Sequence, residues 1–190
     1  FVALARAARA TGDLSLGTAI VNAYGRSPAT LAQGAASLTA DADAGVRLGI
    51  GTSTHKVIED LHGQSFENPP RRLHETVELT RRFLTGDGRV SYEGNIFDVA
   101  DFPGLGTDIP VYAAALGPAN RRATGRTADG WLPHNIPFGR LDEAFETIAE
   151  TAREVGRDPE DITVAPYVPA AVSDDPDEAA CAARGHIAYY

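Results

Sequence analysis

Two rhythms alternate along this chain. Short, nearly continuous apolar runs are separated by longer stretches in which apolar residues return every three or four positions. The first rhythm predicts strands and the second predicts helices. Residues 1–10 have the helical spacing. Residues 14–21 read as a strand behind a Thr11-Gly12-Asp13 turn. Ser27 and Pro28 supply a capping side chain and a first-turn proline, which starts a helix that runs to about Leu38. Residues 46–51 are a second strand, and a polar, turn-rich segment follows over residues 52–70. Leu73, Val77, Leu79, Phe83 and Leu84 place a helix over residues 71–84. Residues 90–97 predict a small hairpin around Glu93-Gly94-Asn95. A third strand over 109–116, a helix over 119–127 and a short fourth strand over 130–132 come next. A helix over 141–155 stops at Gly156. A fifth strand covers 162–168, and Asp174, Asp175 and Pro176 open a last helix.

This β-α alternation calls for a parallel sheet with helices outside it. The apolar strands suit burial on both faces. An open doubly wound sheet and a (β/α)8 barrel both fit, and five strands are too few to close the barrel. The chain reads as a single domain over residues 1–190, truncated at both ends. Residue 1 is Phe, inside a helical pattern with no start signal, and residues 179–190 look like a helix cut short. An incomplete barrel leaves strand edges and core exposed, so the chain in isolation is expected to aggregate or to order only partly.

Composition narrows the function classes. With 26 acidic against 17 basic residues and a net charge of −9, the chain lacks the basic footprint of a general nucleic-acid binder. No apolar run approaches the roughly 18 residues of a membrane span, and no basic–apolar–small pattern in these residues marks a secretory signal. Cys181 is the lone cysteine, which excludes an internal disulfide and a multi-cysteine zinc site. His55, His62, His74, His134 and His186 have no metal-ligand spacing, so no metal is expected. There is no G-x-S-x-G elbow. A cytoplasmic enzyme fits best, with a small-molecule substrate and neither nucleic acid nor membrane as partner.

The candidate chemistry lies at strand ends. "GTAIVNAYGRSP", residues 17–28, puts small and polar residues at a strand's carboxyl end, which suits either the close approach of a flat ring to the backbone or an ordinary βα loop with a capped helix. "GIGTST", residues 49–54, offers glycines and hydroxyls but is neither a phosphate loop of the Walker type nor a complete G-x-G-x-x-G. "LGPAN", residues 116–120, places glycine at a strand end and proline at a helix start, leaving free amides for an anion, with Arg121 and Arg122 beside them. An ordinary βα turn with surface arginines is the competing reading there. His134 follows a strand, either lining a pocket or serving as a polar loop residue. His74 is expected on a helix surface. Trp131 either walls a ring pocket or simply packs.

In combination, "LSLGTAIVNAYGRSPATLAQGAASL", "RLGIGTSTHKVIEDLHGQSFENPPRRLHETVELTRRFL", "VSYEGNIF" and "IPVYAAALGPANRRATGRTADGW" resemble the luciferase-like flavin and deazaflavin oxidoreductase superfamily. "NAYGRSP" and "AALGPANRRATGRTADGW" are most similar to the branch that uses coenzyme F420, which includes methylenetetrahydromethanopterin reductases. The resemblance implies a (β/α)8 TIM barrel, present here as about strands 3 to 7, and a homodimer. It implies a cis peptide between Ala19 and Ile20, in a bulge that backs the deazaflavin ring. It implies cofactor contacts from Ala19, Ile20, Val21 and Asn22, from Gly51, Thr52 and Ser53 near the ring and ribityl chain, and from Gly117, Pro118, Ala119 and Asn120 on the phosphate side. Thr54 and His55 stand where some dehydrogenase relatives carry a glutamate. Relatives often draw an acidic or histidine side chain from the first two strands, so no catalytic residue is assigned. The implied activity is hydride transfer between F420 and a small organic substrate. An FMN-dependent monooxygenase and a non-catalytic barrel homologue are the alternatives.

Overall fold

The computed structural model describes the backbone of residues 1–189 and the side chains of residues 1–185. The elements, in chain order, are α1 (Val2–Thr11), β1 (Leu16–Gly17), β2 (Val21–Asn22), α2 (Pro28–Leu38), β3 (Val46–Gly51), α3 (Pro69–Thr85), β4 (Arg89–Glu93), β5 (Asp98–Pro103), β6 (Val111–Ala114), α4 (Pro118–Thr127), β7 (Gly130–Trp131), α5 (Leu141–Glu154), β8 (Thr163–Val164) and α6 (Pro176–Tyr189). Tyr190, the end of the expected last helix, lies outside the described residues.

One parallel sheet organises the chain. β1 and β2 both pair with β3, which pairs with β6, then β7, then β8. Neighbours in space are neighbours in chain order, so each βα unit adds the next strand to the same edge. That is the arrangement of a (β/α)8 barrel, here an open run of five strand positions. Val46, Leu48, Ile50, Val111 and Ala113 turn outward and pack with Leu31, Ala35 and Leu38 of α2 and Leu73, Val77 and Leu84 of α3. Trp131, Ile148, Ala152 and Ile162 form a second cluster under α5. Gly125 lets α4 and α5 touch, since a Cβ there would lie 2.4 Å from the Ile148 carbonyl oxygen.

The expected strand over 14–21 is broken in the middle. Gly17 pairs with Arg47 and Val21 with Ile50, so Thr18, Ala19 and Ile20 stand opposite only Leu48 and Gly49. This is a β-bulge with one extra residue. The Thr18 hydroxyl replaces the lost ladder bonds: it donates to the Gly49 carbonyl (2.9 Å) and accepts from the Gly49 amide (3.0 Å). Gly49 is required there, because a Cβ would meet the Thr18 carbonyl oxygen at 2.1 Å. The Ala19–Ile20 peptide is cis.

The hairpin β4–β5 forms around the expected turn, and a buried carboxylate holds it to α3. Glu75 is 1% exposed and accepts from the amides of Asn95, Ile96 and Phe97. Burial opposes its ionisation, but these backbone donors outweigh burial and hold its carboxyl below the usual range. The segment over 52–70, expected to be loop, contains a π-helical turn at Val57–Leu61. The fifth strand is shorter than expected; only Thr163–Val164 is regular, with an isolated bridge from His134 to Tyr167.

Candidate functional site

A cavity of about 700 Å³ opens at the carboxyl ends of the parallel strands, within the size range of small-molecule sites. The bulge contributes Ala19 and Ile20. The end of β3 contributes Gly51, Thr52, Ser53 and Thr54. Ala114 to Gly117 follow β6, and Asn120 joins them from the first turn of α4. Leu132 and His134 follow β7, and Ala165, Pro166 and Tyr167 follow β8. In a (β/α)8 barrel this is the end that carries the chemistry.

Small residues make the room. At Gly51 a Cβ would press on the Ile20 side chain at 3.0 Å and the Ala114 Cβ at 3.2 Å. Ser53 sits in the left-handed region at φ 60° and turns the chain along the cavity wall. Gly117 differs from both: nothing of the protein lies within 4 Å of its missing Cβ. Its backbone is extended, so no conformational demand explains the glycine either. A side chain there would project into free space beside the cavity.

The first turn of α4 adds electrostatics. Gly117 caps α4 without a side-chain acceptor, and Pro118 has no N–H. The amides of Ala119 and Asn120 therefore lack intrahelical acceptors, and the helix dipole puts partial positive charge there. The Asn120 Oδ1 is buried without a hydrogen-bond partner in the structure.

His134 and Tyr167 are the titratable side chains on the cavity wall among the described residues. Their rings stack at 4.9 Å with planes 28° apart. The Tyr167 amide donates to the Pro133 carbonyl at 2.9 Å, which fixes the two strand ends in register.

The structure brings Ala19, Ile20, Gly51, Thr52, Ser53, Gly117 and Asn120 to this one cavity. It places four expected residues elsewhere. Val21 packs into the outward core. Asn22 folds back on its own loop, its Oδ1 accepting from the Tyr24 and Gly25 amides and its Nδ2 lying 3.3 Å from His62 Nε2. Pro118 is exposed on the first turn of α4. Ala119 faces a separate groove between α3 and α4. His74 is not the surface residue expected: its side chain is 22% exposed, on that same groove. Trp131 packs, fully buried, and its Nε1–H donates to the Ala115 carbonyl at 2.8 Å.

Sequence reasoning missed Thr18, Leu132 and the stretch 165–167. Reading the last strand through residue 168 hid the strand end that delivers Tyr167.

Comparison with known proteins meets this geometry at the family level. The luciferase-like monooxygenase family matches residues 1–190. The chain belongs to that family. It is 30% identical over 181 residues to 5,10-methylenetetrahydromethanopterin reductase of Methanolobus tindarius, covering 94% of this chain and 55% of the relative. It is 32% identical over 161 residues to phthiodiolone/phenolphthiodiolone dimycocerosates ketoreductase of Mycobacterium bovis, covering 80% of this chain and 42% of the relative. The solved coenzyme F420-dependent tetrahydromethanopterin reductase of Methanopyrus kandleri superposes with a TM-score of 0.84 at 29% identity, over 98% of this chain and 58% of that one. A secondary alcohol dehydrogenase solved with an F420–acetone adduct shares the fold, with a TM-score of 0.80 at 24% identity over 92% of this chain and 55% of that one. The chain spans about half the length of the curated relatives it matches.

Proposed function

We propose that this luciferase-like chain forms one side of the cofactor cavity of an F420-dependent oxidoreductase, acting on a small organic substrate. The convergence of the bulge, the β3 end and the α4 start on a single cavity carries this reading. The apolar wall of Ala19 and Ile20 fits a flat ring, and the space at Gly117 beside free α4 amides fits an anionic group. The unpartnered Asn120 Oδ1 accepts from a donor on the same ligand. Similarity to an F420-dependent reductase favours the deazaflavin.

Bound F420 would supply or accept the hydride. Around it, Ala19 and Ile20 would back the ring, and Gly51 would keep side-chain bulk out of the ring's space. Thr52 and Ser53 would offer hydroxyls toward the ring and its chain. Gly117 and Asn120 would hold the phosphate side, with the free Ala119 amide adding to the positive end of the helix. His134, on the cavity wall, would hold the proton that the substrate's heteroatom takes up when a carbonyl or imine is reduced. Tyr167 keeps the imidazole plane in place by stacking.

Titrating the full-length protein with F420 and with FMN, read by fluorescence quenching, tests the proposal. Saturable binding of F420 in preference to FMN is expected. Preference for FMN supports the second reading, a monooxygenase, which the family's description favours. Binding of neither leaves a non-catalytic homologue. The resemblance also supports a homodimer, which sizing of the full-length protein tests, and a cytoplasmic location, which fractionation tests. No described helix is long and apolar enough to cross a membrane.

A further inference from the structure

A second depression, of about 350 Å³, lies between the start of α3 and the outer face of α4. Arg71, His74, Arg122 and Arg126 line it, and no acidic residue does. The chain as a whole carries a net charge of −9, so this local excess of positive charge runs against its surroundings. The charges are also poorly neutralised. Arg122 and Arg126 form no ion pair among the described residues. Arg71 reaches only Glu75, at 3.9 Å, and that carboxylate is already taken by three backbone amides.

Two electrostatic penalties meet here. Arg122 and Arg126 are four residues apart on one helix, so their like charges repel. Arg71 faces both across the groove. Burial pushes the His74 imidazole toward its neutral form; Glu78 opposes that, and Arg71 and Arg126 reinforce it. An anion between these groups removes every one of these penalties, and guanidinium forks match phosphate and carboxylate oxygens in pairs.

We infer that the groove lined by Arg71, Arg122 and Arg126 binds a small polyanion, a phosphate group or clustered carboxylates. The site is separate from the main cavity, with the first turn of α4 between them: Gly117 and Asn120 face one side and Ala119 the other. The anion is therefore either the charged end of a ligand that crosses this turn or a free effector.

Calorimetry on the full-length protein tests this, with inorganic pyrophosphate and citrate as probes. Saturable one-to-one binding of at least one probe is expected, weakening as salt is raised. The R122Q/R126Q double variant should bind at least tenfold more weakly, and R122K/R126K should stay within a few-fold of wild type. Without anion, R122Q/R126Q should melt no lower than wild type, because repulsion has been removed. Repeating the titration with F420 present identifies the source: competition marks the end of a cavity ligand, and simultaneous binding marks a free anion. No saturable binding of either probe, or equal affinity in R122Q/R126Q, overturns the inference. So does a dimer that R122Q/R126Q dissociates while neither probe binds, since an acidic face of a second copy then fills the groove. Failure to bind F420 would count against the cofactor proposal alone, because the inorganic probes do not depend on it.

Discussion

At the scale of single residues, Asp129-Gly130-Trp131 shows how a motif that draws attention for its chemistry is explained by structure. Asp129 pairs with both donor edges of Arg81, at 2.7 and 3.0 Å, and also accepts from the Val111 amide at 2.9 Å. Gly130 leaves room for the Tyr112 ring, which a Cβ would meet at 2.6 Å. Trp131 anchors the Ala115 carbonyl next to the cavity. The residues that meet the cavity are plainer, and Thr18 is absent from it altogether. Yet Thr18 holds the bulge by two hydrogen bonds to one residue. T18V keeps the shape and loses both bonds. It should cost about 1–3 kcal/mol, the usual effect of leaving buried partners unmade, and should weaken F420 binding. A chemical melt and the fluorescence titration check the two halves. H134N should leave F420 affinity within a few-fold while lowering turnover by about 10²–10⁴-fold, the usual contribution of general acid–base catalysis. An unchanged turnover–pH profile in H134N would remove His134 from the proton path.

Elements were legible where local signals agreed. Ser27 accepts from the Thr30 amide at 3.2 Å and Pro28 opens α2, as the Ser-Pro pair predicts. α3, α4, α5 and the hairpin also fall close to their expected places. Failures arose where a distant partner decides the outcome. Glu75 sits in a run of helical residues and looks like any surface glutamate, but its carboxylate holds a turn some twenty residues away. Because its folded carboxyl is depressed, its stabilising effect is present above the ordinary value of 4.5 and fades as pH falls through the lower folded value. Wild type should therefore lose stability below about pH 4.5, and E75Q should start about 1–3 kcal/mol less stable with a flatter acid limb. Denaturant melts from pH 7 down to pH 3 report both. Arg157 is a comparable case at the other end of α4. It donates to the carbonyls of Gly125 and Ala128, at 2.8 and 2.6 Å, closing that helix's carboxyl terminus. R157M should destabilise by about 1–3 kcal/mol, with faster amide exchange in the last turn of α4.

For the whole molecule, order of elements was the readable property and closure was not. The apolar alternation gives consecutive parallel strands, and chain order equals spatial order throughout the sheet. The two edges of that sheet, β1–β2 and β8, carry no strand on their outer sides among the described residues. Leu14, Val164, Tyr167 and Val168 are each at least 39% exposed near those edges. The 190-residue chain by itself should bind a hydrophobic dye and self-associate with rising concentration. A sharp, reversible melt with no dye uptake and a monomeric elution volume would show that these edges are tolerated. The site divides the same way. The strand-end rule locates the cavity, but which neighbour of a strand end faces inward depends on register, and register turns Val21 to the outward core and Asn22 to its own loop.

The extra residue of the bulge acts as a change of phase. Leu16 and Val21 both pack into the outward core, although they are five positions apart and an uninterrupted strand would send them to opposite faces. Along this edge the alternation of sides is reset between them, and Ala19 and Ile20, in the interval, reach the cavity. Deleting Ala19 would remove the extra residue and with it the bulge: Leu16 and Val21, then four positions apart, would share a side by ordinary alternation. Val21 would stay in the outward core, but the irregular stretch that brings two successive residues, Ala19 and Ile20, to the cavity wall would be gone. A deletion of one alanine should therefore be far more damaging here than replacement of the same alanine by serine.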